Sequence, residues 1–203
     1  MWSNVTPNTL AYRPLTSSST VNDESGNSHT LSNYNTSFTS NSAYFNWNAY
    51  LQIPAISSDT TVSIIMWIKT TQTSKGEFMQ LNDQNAQNSF EAQVSNSKFK
   101  MESWSPSTIS TSSTNIADWN WHHIAITISW NSFKWYVDWV QENSYTFWKT
   151  IVLNSTWNIL WMHSNHSSNK YTWYIWRVIM EKILRSQSDI QKDYNSSKKY
   201  FPN

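Results

Sequence analysis

The stretch "TVSIIMWIKT", residues 61–70, constrains this chain more than any other. It is a β-branched and almost unbroken apolar run, and it falls far short of the roughly 18 residues needed to span a bilayer. It reads as a strand covered on both faces, so the fold must place material above and below it. "WHHIAITIS" (121–129) alternates instead. His122, Ile124, Ile126 and Ile128 form the row expected to be buried; Trp121, His123, Ala125, Thr127 and Ser129 form the other. "SFKWYV" (132–137) answers as the next antiparallel strand, and "TIVL" (150–153), "NILWMH" (158–163) and "YIWRVIM" (174–180) follow at short spacing. "FEAQVSNSKFKMES" (90–103) carries a hairpin signal around Ser95, Asn96 and Ser97. Many short strands separated by turn signals indicate an all-β fold, a two-sheet antiparallel sandwich or a barrel.

One helix is expected, and it comes late. Ser186 and Asp189 have the spacing of a capping box, and Ile190 and Tyr194 lie four apart on one face. The reading is a short helix of roughly two turns packed on an edge of the sandwich. The first 45 residues are rich in Ser, Thr and Asn, but Tyr34, Phe38, Tyr44 and Phe45 recur too often for a purely solvated tract. They are read as long loops with a first strand at "LAYRPL" (10–15).

Charge and cysteine content exclude several classes. The formal net charge is +1, with 14 Lys+Arg against 13 Asp+Glu, so no field draws the chain to nucleic acid or an anionic membrane. No cysteine means no disulfide framework and no thiolate metal site. The N-terminal segment lacks the pattern of a signal peptide, and no membrane insertion of this segment is expected.

The turns pose a problem. "YVDWVQ" (136–141) has the rhythm of a two-residue hairpin, whose centre requires φ > 0 and normally takes Asn-Gly or Asp-Gly. Here the centre is Asp138 and Trp139. The chain has 14 tryptophans and only 2 glycines, although glycine alone ordinarily supplies roughly 7% of a domain.

The segments "AYRPL", "AYFNWNAYLQIP", "DTTVSIIMWIKT", "ADWNWHHIAITISWNSFKWYVDWV" and "YTWYIWRVIMEKILRSQSDIQKDYN" together resemble a laminin-G-like, concanavalin-A-like jelly roll of bacterial surface proteins. The resemblance spans residues 9–195, leaving 1–8 as a leader or linker remnant and 196–203 as a solvated tail. The Trp-His-His strand, the strand ending in Tyr-Val-Asp, and the late strand leading into Ser-x-Ser-acid-Ile carry it. The resemblance implies glycine at Trp47, Trp119, Trp130, Trp139, Trp161 and Trp173, glycine or an acidic residue at Trp176, and tryptophan at Trp67 and Trp121. Trp119, Trp130, Trp139 and Trp173 are accordingly placed at bends. The hypothesis that follows is that many tryptophans are native glycines, written as Trp because UGA codons were read under the wrong genetic code. Together the two residues have close to their ordinary joint share of about 8 to 9%. A bulky residue at φ > 0 costs roughly 1–2 kcal/mol. Six or seven such sites would cost on the order of 10 kcal/mol, so the literal chain is expected to be marginal.

The candidate site residues are few. His163, Asn165, His166 and Asn169 cluster in one loop and could hold a polar ligand. Trp104, Trp148 and Trp157 are candidate sugar-stacking surfaces, whereas Trp67, Trp121 and Trp135 read as core. His122 and His123 point to opposite faces and cannot converge on one ion. Calcium is the one cofactor such a sandwich suggests, and Asp23 and Asp118 are the acids to test. Glycan-cleaving relatives in the wider superfamily carry closely spaced acids on one strand; here Glu77, Glu91 and Glu102 are scattered singly, so no enzyme activity is expected. The expectation is a non-catalytic carbohydrate- or surface-polymer-binding module for recognition or adhesion, extracellular or at the cell surface. Its partners would be a glycan, a cell-surface polymer or other proteins. The alternative is a structural domain of a cell-surface or pilus-like protein, and a glycoside hydrolase is the remotest reading.

Overall fold

The computed structural model describes residues 7–14, 23–39, 42–46, 49–53, 59–81, 90–104, 107–147, 150, 158–160 and 173–201. Among them, fifteen strands and one helix form a two-sheet antiparallel sandwich. The strands are β1 (Thr9–Pro14), β2 (Ser32–Tyr34), β3 (Ser37–Phe38), β4 (Ala43–Phe45), β5 (Tyr50–Ile53), β6 (Thr61–Thr70), β7 (Gly76–Leu81) and β8 (Phe90–Ser95). They continue with β9 (Lys98–Trp104), β10 (Ser107–Asn115), β11 (Trp121–Ser129), β12 (Ser132–Val137), β13 (Val140–Thr146), β14 (Asn158–Leu160) and β15 (Trp173–Glu181). The helix α1 (Gln187–Lys198) follows. One sheet runs β13-β12-β11-β6-β15-β4-β3, with β1 also on β15; the other runs β10-β9-β8-β7-β14-β5-β2. The "TIVL" segment lies outside the described residues except for Thr150, and of "NILWMH" only 158–160 are described.

The main core lies between the sheets. Ile64, Met66, Ile68, Ile124, Ile126, Val178 and Met180 from the first sheet meet Phe78, Ala92, Val94, Phe99 and Met101 from the second. The opposite face of the first sheet is buried as well. Ile65, Ala125, Tyr136 and Ile179 form a second cluster with Ile190 of α1, and Trp67 and Trp176 form a third with Phe201. This double cover explains the unbroken apolar run of β6, as expected. It corrects the reading of β11, where both rows are buried: His123 and Ala125 lie under the helix while Ile124 and Ile126 face the core.

The helix also differs from expectation in length and place. It has 12 residues, and it covers the outer face of the sheet instead of an edge. Its capping box is as expected: Ser186 accepts from the Asp189 backbone N–H, and the Asp189 side chain accepts from Ser186 N. Ile190 enters the second cluster and Tyr194 stacks on Trp67 at 5.5 Å. Asp193 is the anchor. Its Oδ2 meets His123 Nε2 at 2.9 Å and also accepts from Arg177, all three side chains being buried. Burial would raise the Asp193 pKa, but the His123 hydrogen bond and the Arg177 charge hold it below the ordinary carboxylate value. Trp67 Nε1 donates to Ser197 Oγ at 3.0 Å. The helix runs past residue 195 to Lys198, and Phe201 is buried against Trp67, Trp121 and Trp176.

The corners reveal where glycine is missed. Asp138 (φ 49°) and Trp139 (φ 67°) form the β12–β13 turn, the two left-handed positions of a type I′ hairpin. Asn96 (φ 51°) and Ser97 (φ 66°) do the same between β8 and β9. Trp130 (φ 55°) opens the β11–β12 turn, and Trp119 (φ 67°) precedes β11. Three of the tryptophans placed at bends therefore adopt the conformation that favours glycine. Trp173 does not. It begins β15, is fully buried in the main core, and meets Phe78 edge-on at 5.4 Å. Trp176 likewise lies within β15 and packs against Phe201. Trp47 and Trp161 lie outside the described residues.

Three substitutions, each followed by its unfolding stability, check these assignments. Trp130 is 63% exposed, so Trp130→Gly relieves backbone strain with little lost packing. It is expected to gain about 1 kcal/mol and raise Tm by roughly 2–4 °C. Trp173→Gly should instead lose about 3–5 kcal/mol through cavity formation. Asp193→Asn, which leaves Arg177 buried beside a neutral group, is expected to cost about 3 kcal/mol in urea unfolding.

Candidate functional site

Three polar constellations stand out. The first sits at the end of β11, where His122 is gripped on both sides. Its Nδ1 is 2.8 Å from Asp138 Oδ2 and its Nε2 is 3.0 Å from Asp118 Oδ1. Both ring nitrogens can donate only in the imidazolium form. Burial alone would lower the His122 pKa, but the hydrogen bonds and charges of Asp138 and Asp118 raise it above the ordinary value. Asp138 does a second job, its Oδ1 accepting from His123 N at 2.9 Å while its own N–H donates to His123 O at 2.8 Å. The left-handed corner is thereby stapled to β11. Beside it lies a cavity of about 130 Å³ with Trp121, Tyr194 and Phe201 on its aromatic side and Asn120, Asp138 and Lys198 on its polar side.

The second constellation corrects the sequence reading. Glu77, Glu91 and Glu102 are not scattered; adjacent strands bring them onto one face. Gln80, Glu91 and Glu102 stand opposite one another across β7, β8 and β9, as do Glu77, Gln93 and Lys100. Lys75 Nζ reaches all three carboxylates, at 3.8 Å from Glu77, 3.8 Å from Glu91 and 3.5 Å from Glu102. Lys100 Nζ is 3.4 Å from Glu102, and Gln93 Nε2 donates to the same carboxylate. Burial works to raise the Glu102 pKa, yet the Gln93 hydrogen bond and the two ammonium charges keep it low. The period-two alternation of β8 and β9 signals part of this: once the Asn96-Ser97 turn sets the register, Glu91 must face Glu102 and Gln93 must face Lys100. Nothing local to the sequence brings Glu77 and Lys75 to them. Glu77 and Glu91 are fully buried and share a cation. This is the chemistry of an ion-paired sheet face.

The third is a groove of about 520 Å³ on the outer face of the first sheet, between β11–β13 and the start of α1. Hydroxyls of Thr127, Ser129 and Ser132 line it, with Lys134, Gln141 and Arg185.

The residues singled out from sequence fare differently. His163, Asn165, His166 and Asn169 lie outside the described residues, as do Trp148 and Trp157 and the side chain of Trp104. Asp23 organises its own loop, accepting from Ser25 N at 2.9 Å, Ser25 Oγ at 2.7 Å and His29 N at 3.0 Å. Asp118 accepts from Asn120 N at 2.9 Å and from its Nδ2 at 3.0 Å besides facing His122. The two acids therefore serve separate local turns. Among the described residues no group of three His, Asp or Glu side chains is arranged to hold a metal ion. His122 and His123 diverge as expected, one to Asp118 and Asp138, the other to Asp193. Nor is any helix among these residues long and apolar enough to cross a membrane.

No protein-family model and no curated protein sequence matches the chain. Solved structures do. The binding domain of Paraclostridial Mosquitocidal Protein 1 superposes with a TM-score of 0.72 at 14% identity, covering 93% of this chain and 52% of that one. The binding domain of botulinum neurotoxin serotype D gives 0.73 at 13% identity, covering 94% and 52%. The same toxin's ligand-binding domain in complex with N-acetylneuraminic acid gives 0.72 at 13%, covering 94% and 51%. The chain thus spans about half the length of the structures it matches. At this identity the likeness establishes a shared β-rich fold. It supports the two-sheet sandwich, but the structures matched are toxin binding domains and not members of the laminin-G-like family.

The His122 bridge generates a pH prediction. A raised folded pKa means its contribution is complete below the unfolded histidine value of about 6.5 and is lost as pH rises through the folded value. The Asp118 pKa is lowered: burial opposes this, but the Asn120 and His122 hydrogen bonds prevail. Its contribution is present above about pH 3.9 and is lost as pH falls further. Asp138→Asn is expected to cost about 2 kcal/mol near pH 6 and clearly less near pH 9, measured by denaturant unfolding.

Proposed function

We propose that this domain is a non-catalytic recognition module that binds a glycan or another surface polymer, on a protein exported to the cell surface or beyond. The observation that carries this reading is the superposition of 93% of the chain on the binding domain of a mosquitocidal toxin, with comparable matches to neurotoxin binding domains. A related structure holds N-acetylneuraminic acid, which supports a sugar as the ligand class. The Glu77, Glu91 and Glu102 face argues in the same direction, since Lys75 pairs with all three carboxylates and Glu77 and Glu91 are fully buried, which leaves a substrate poor access to a nucleophile or acid. The near-neutral charge gives no attraction for nucleic acid. Other surface proteins remain a partner class within this reading, and His163, Asn165, His166 and Asn169 are proposed as additional contact residues.

A glycan array probed with the domain tests the reading. Retention of a defined set of glycans, without cleavage on prolonged incubation, is the expected result, and it should persist in EDTA because Asp23 and Asp118 are already engaged by local donors. Silence across the array would favour a purely structural domain. Release of sugar fragments would overturn the non-catalytic assignment.

A further inference from the structure

We propose that the groove between β11–β13 and the start of α1 is a binding site for a carboxylate-bearing glycan, such as a hexuronate or sialate chain; this rests on the reading of the domain as a glycan-binding module. The groove holds about 520 Å³, within the range of roughly 300–1,000 Å³ typical of small-ligand sites. Its walls combine the groups a sugar needs. Ser129 and Ser132 offer hydroxyls that donate and accept, Gln141 and Gln187 offer amides, and Thr127, buried and hydrogen-bonded to Tyr136, lines the base. Leu184, 53% exposed at the rim, supplies an apolar ledge for sugar C–H surface.

The charge of the groove selects the ligand. Among the described residues that line it there are two cations and no acid. Arg185 is committed to the buried Glu181, its Nε and Nη2 donating to the two carboxylate oxygens at 2.5 and 2.7 Å. That leaves Lys134, which is exposed and has no acidic partner among the described residues. The Arg185–Glu181 pair is neutral as a unit, so the ammonium of Lys134 has no acidic counterpart among the described residues that line the groove. A neutral sugar would leave that charge unmatched, whereas a carboxylate pairs with it. Among the described residues no tryptophan side chain lines the groove; Gln187, which does, donates to the Trp139 backbone carbonyl at 3.4 Å, a contact that does not use the indole.

Isothermal titration of the domain with trigalacturonate and with neutral maltotriose tests this. Trigalacturonate should bind at least ten-fold more tightly, weaken as salt rises, and lose at least ten-fold affinity in Lys134→Glu while Lys134→Arg retains binding. NMR shift mapping should place the largest changes at Thr127, Lys134, Gln141 and Gln187. Equal binding of both sugars, unchanged binding in Lys134→Glu, or shifts on another face would overturn the groove assignment and leave the recognition reading standing. Failure to bind these sugars together with silence on the glycan array would overturn both.

Independently of the groove, we infer that Trp119, Trp130 and Trp139 stand where the native protein has glycine, through UGA codons decoded there as glycine. The backbone carries this inference. Of the eight non-glycine residues with positive φ among the described residues, these three are the bulky ones; the others are Asn, Ser or Asp. Asn and Asp tolerate the left-handed region through local hydrogen bonds, and an indole has no such means. Trp119 and Trp130 are also 46% and 63% exposed, so burial does not compensate the strain. Tryptic peptides of the protein isolated from its source organism should carry glycine at 119, 130 and 139, with UGA in the gene. Tryptophan in those peptides, or UGG codons, would overturn it.

Discussion

The structure depends on burying both faces of one sheet. β6, β11 and β15 meet the second sheet through Ile64, Ile126 and Met180, and meet α1 through Ile65, Ala125 and Ile179. A strand apolar on both sides would be a liability if only one face were covered. The helix resolves this, and it is fixed in place by polar as well as apolar contacts. Asp193 joins His123 on β11 to Arg177 on β15, so a single carboxylate ties the helix to two strands on either side of β6. Taking three such groups out of water is unfavourable by itself. Its value is geometric, since an apolar helix face can slide over an apolar sheet and a paired carboxylate cannot.

The corners obey a second constraint. A two-residue connection between twisted antiparallel strands requires left-handed backbone, whatever side chain occupies it. The Asp138-Trp139 corner satisfies that demand and is held by Asp138, whose carboxylate binds the His122 ring and the His123 amide together. The turn and the start of β11 therefore form one unit, and protonation of His122 strengthens it.

Polar chemistry on the two outer faces divides accordingly. On the second sheet, three carboxylates share two ammonium groups, and Glu77 and Glu91 are fully buried. On the first, beyond the edge of α1, Lys134 stays unopposed beside a row of hydroxyls. The same helix that completes the core thus forms one wall of the proposed binding groove.

Much of this was legible in the sequence. The burial of 61–70 on both faces, the hairpin at Asn96-Ser97, the capping box at Ser186 and the left-handed demand at Trp119, Trp130 and Trp139 all follow from local pattern, because alternation, capping and turn geometry involve residues close in the chain. Other features were not. Trp173 looked like a corner residue but fills the core, since the packing of Phe78 against it comes from a different sheet. The gathering of Glu77, Glu91 and Glu102 around Lys75, and the meeting of Asp193 with His123 and Arg177, join residues up to 70 positions apart. By itself the sequence determined the kind of elements and the backbone its turns require; tertiary structure alone decided which charges meet and which face stays open, because strand order and helix placement, not chain spacing, set those distances.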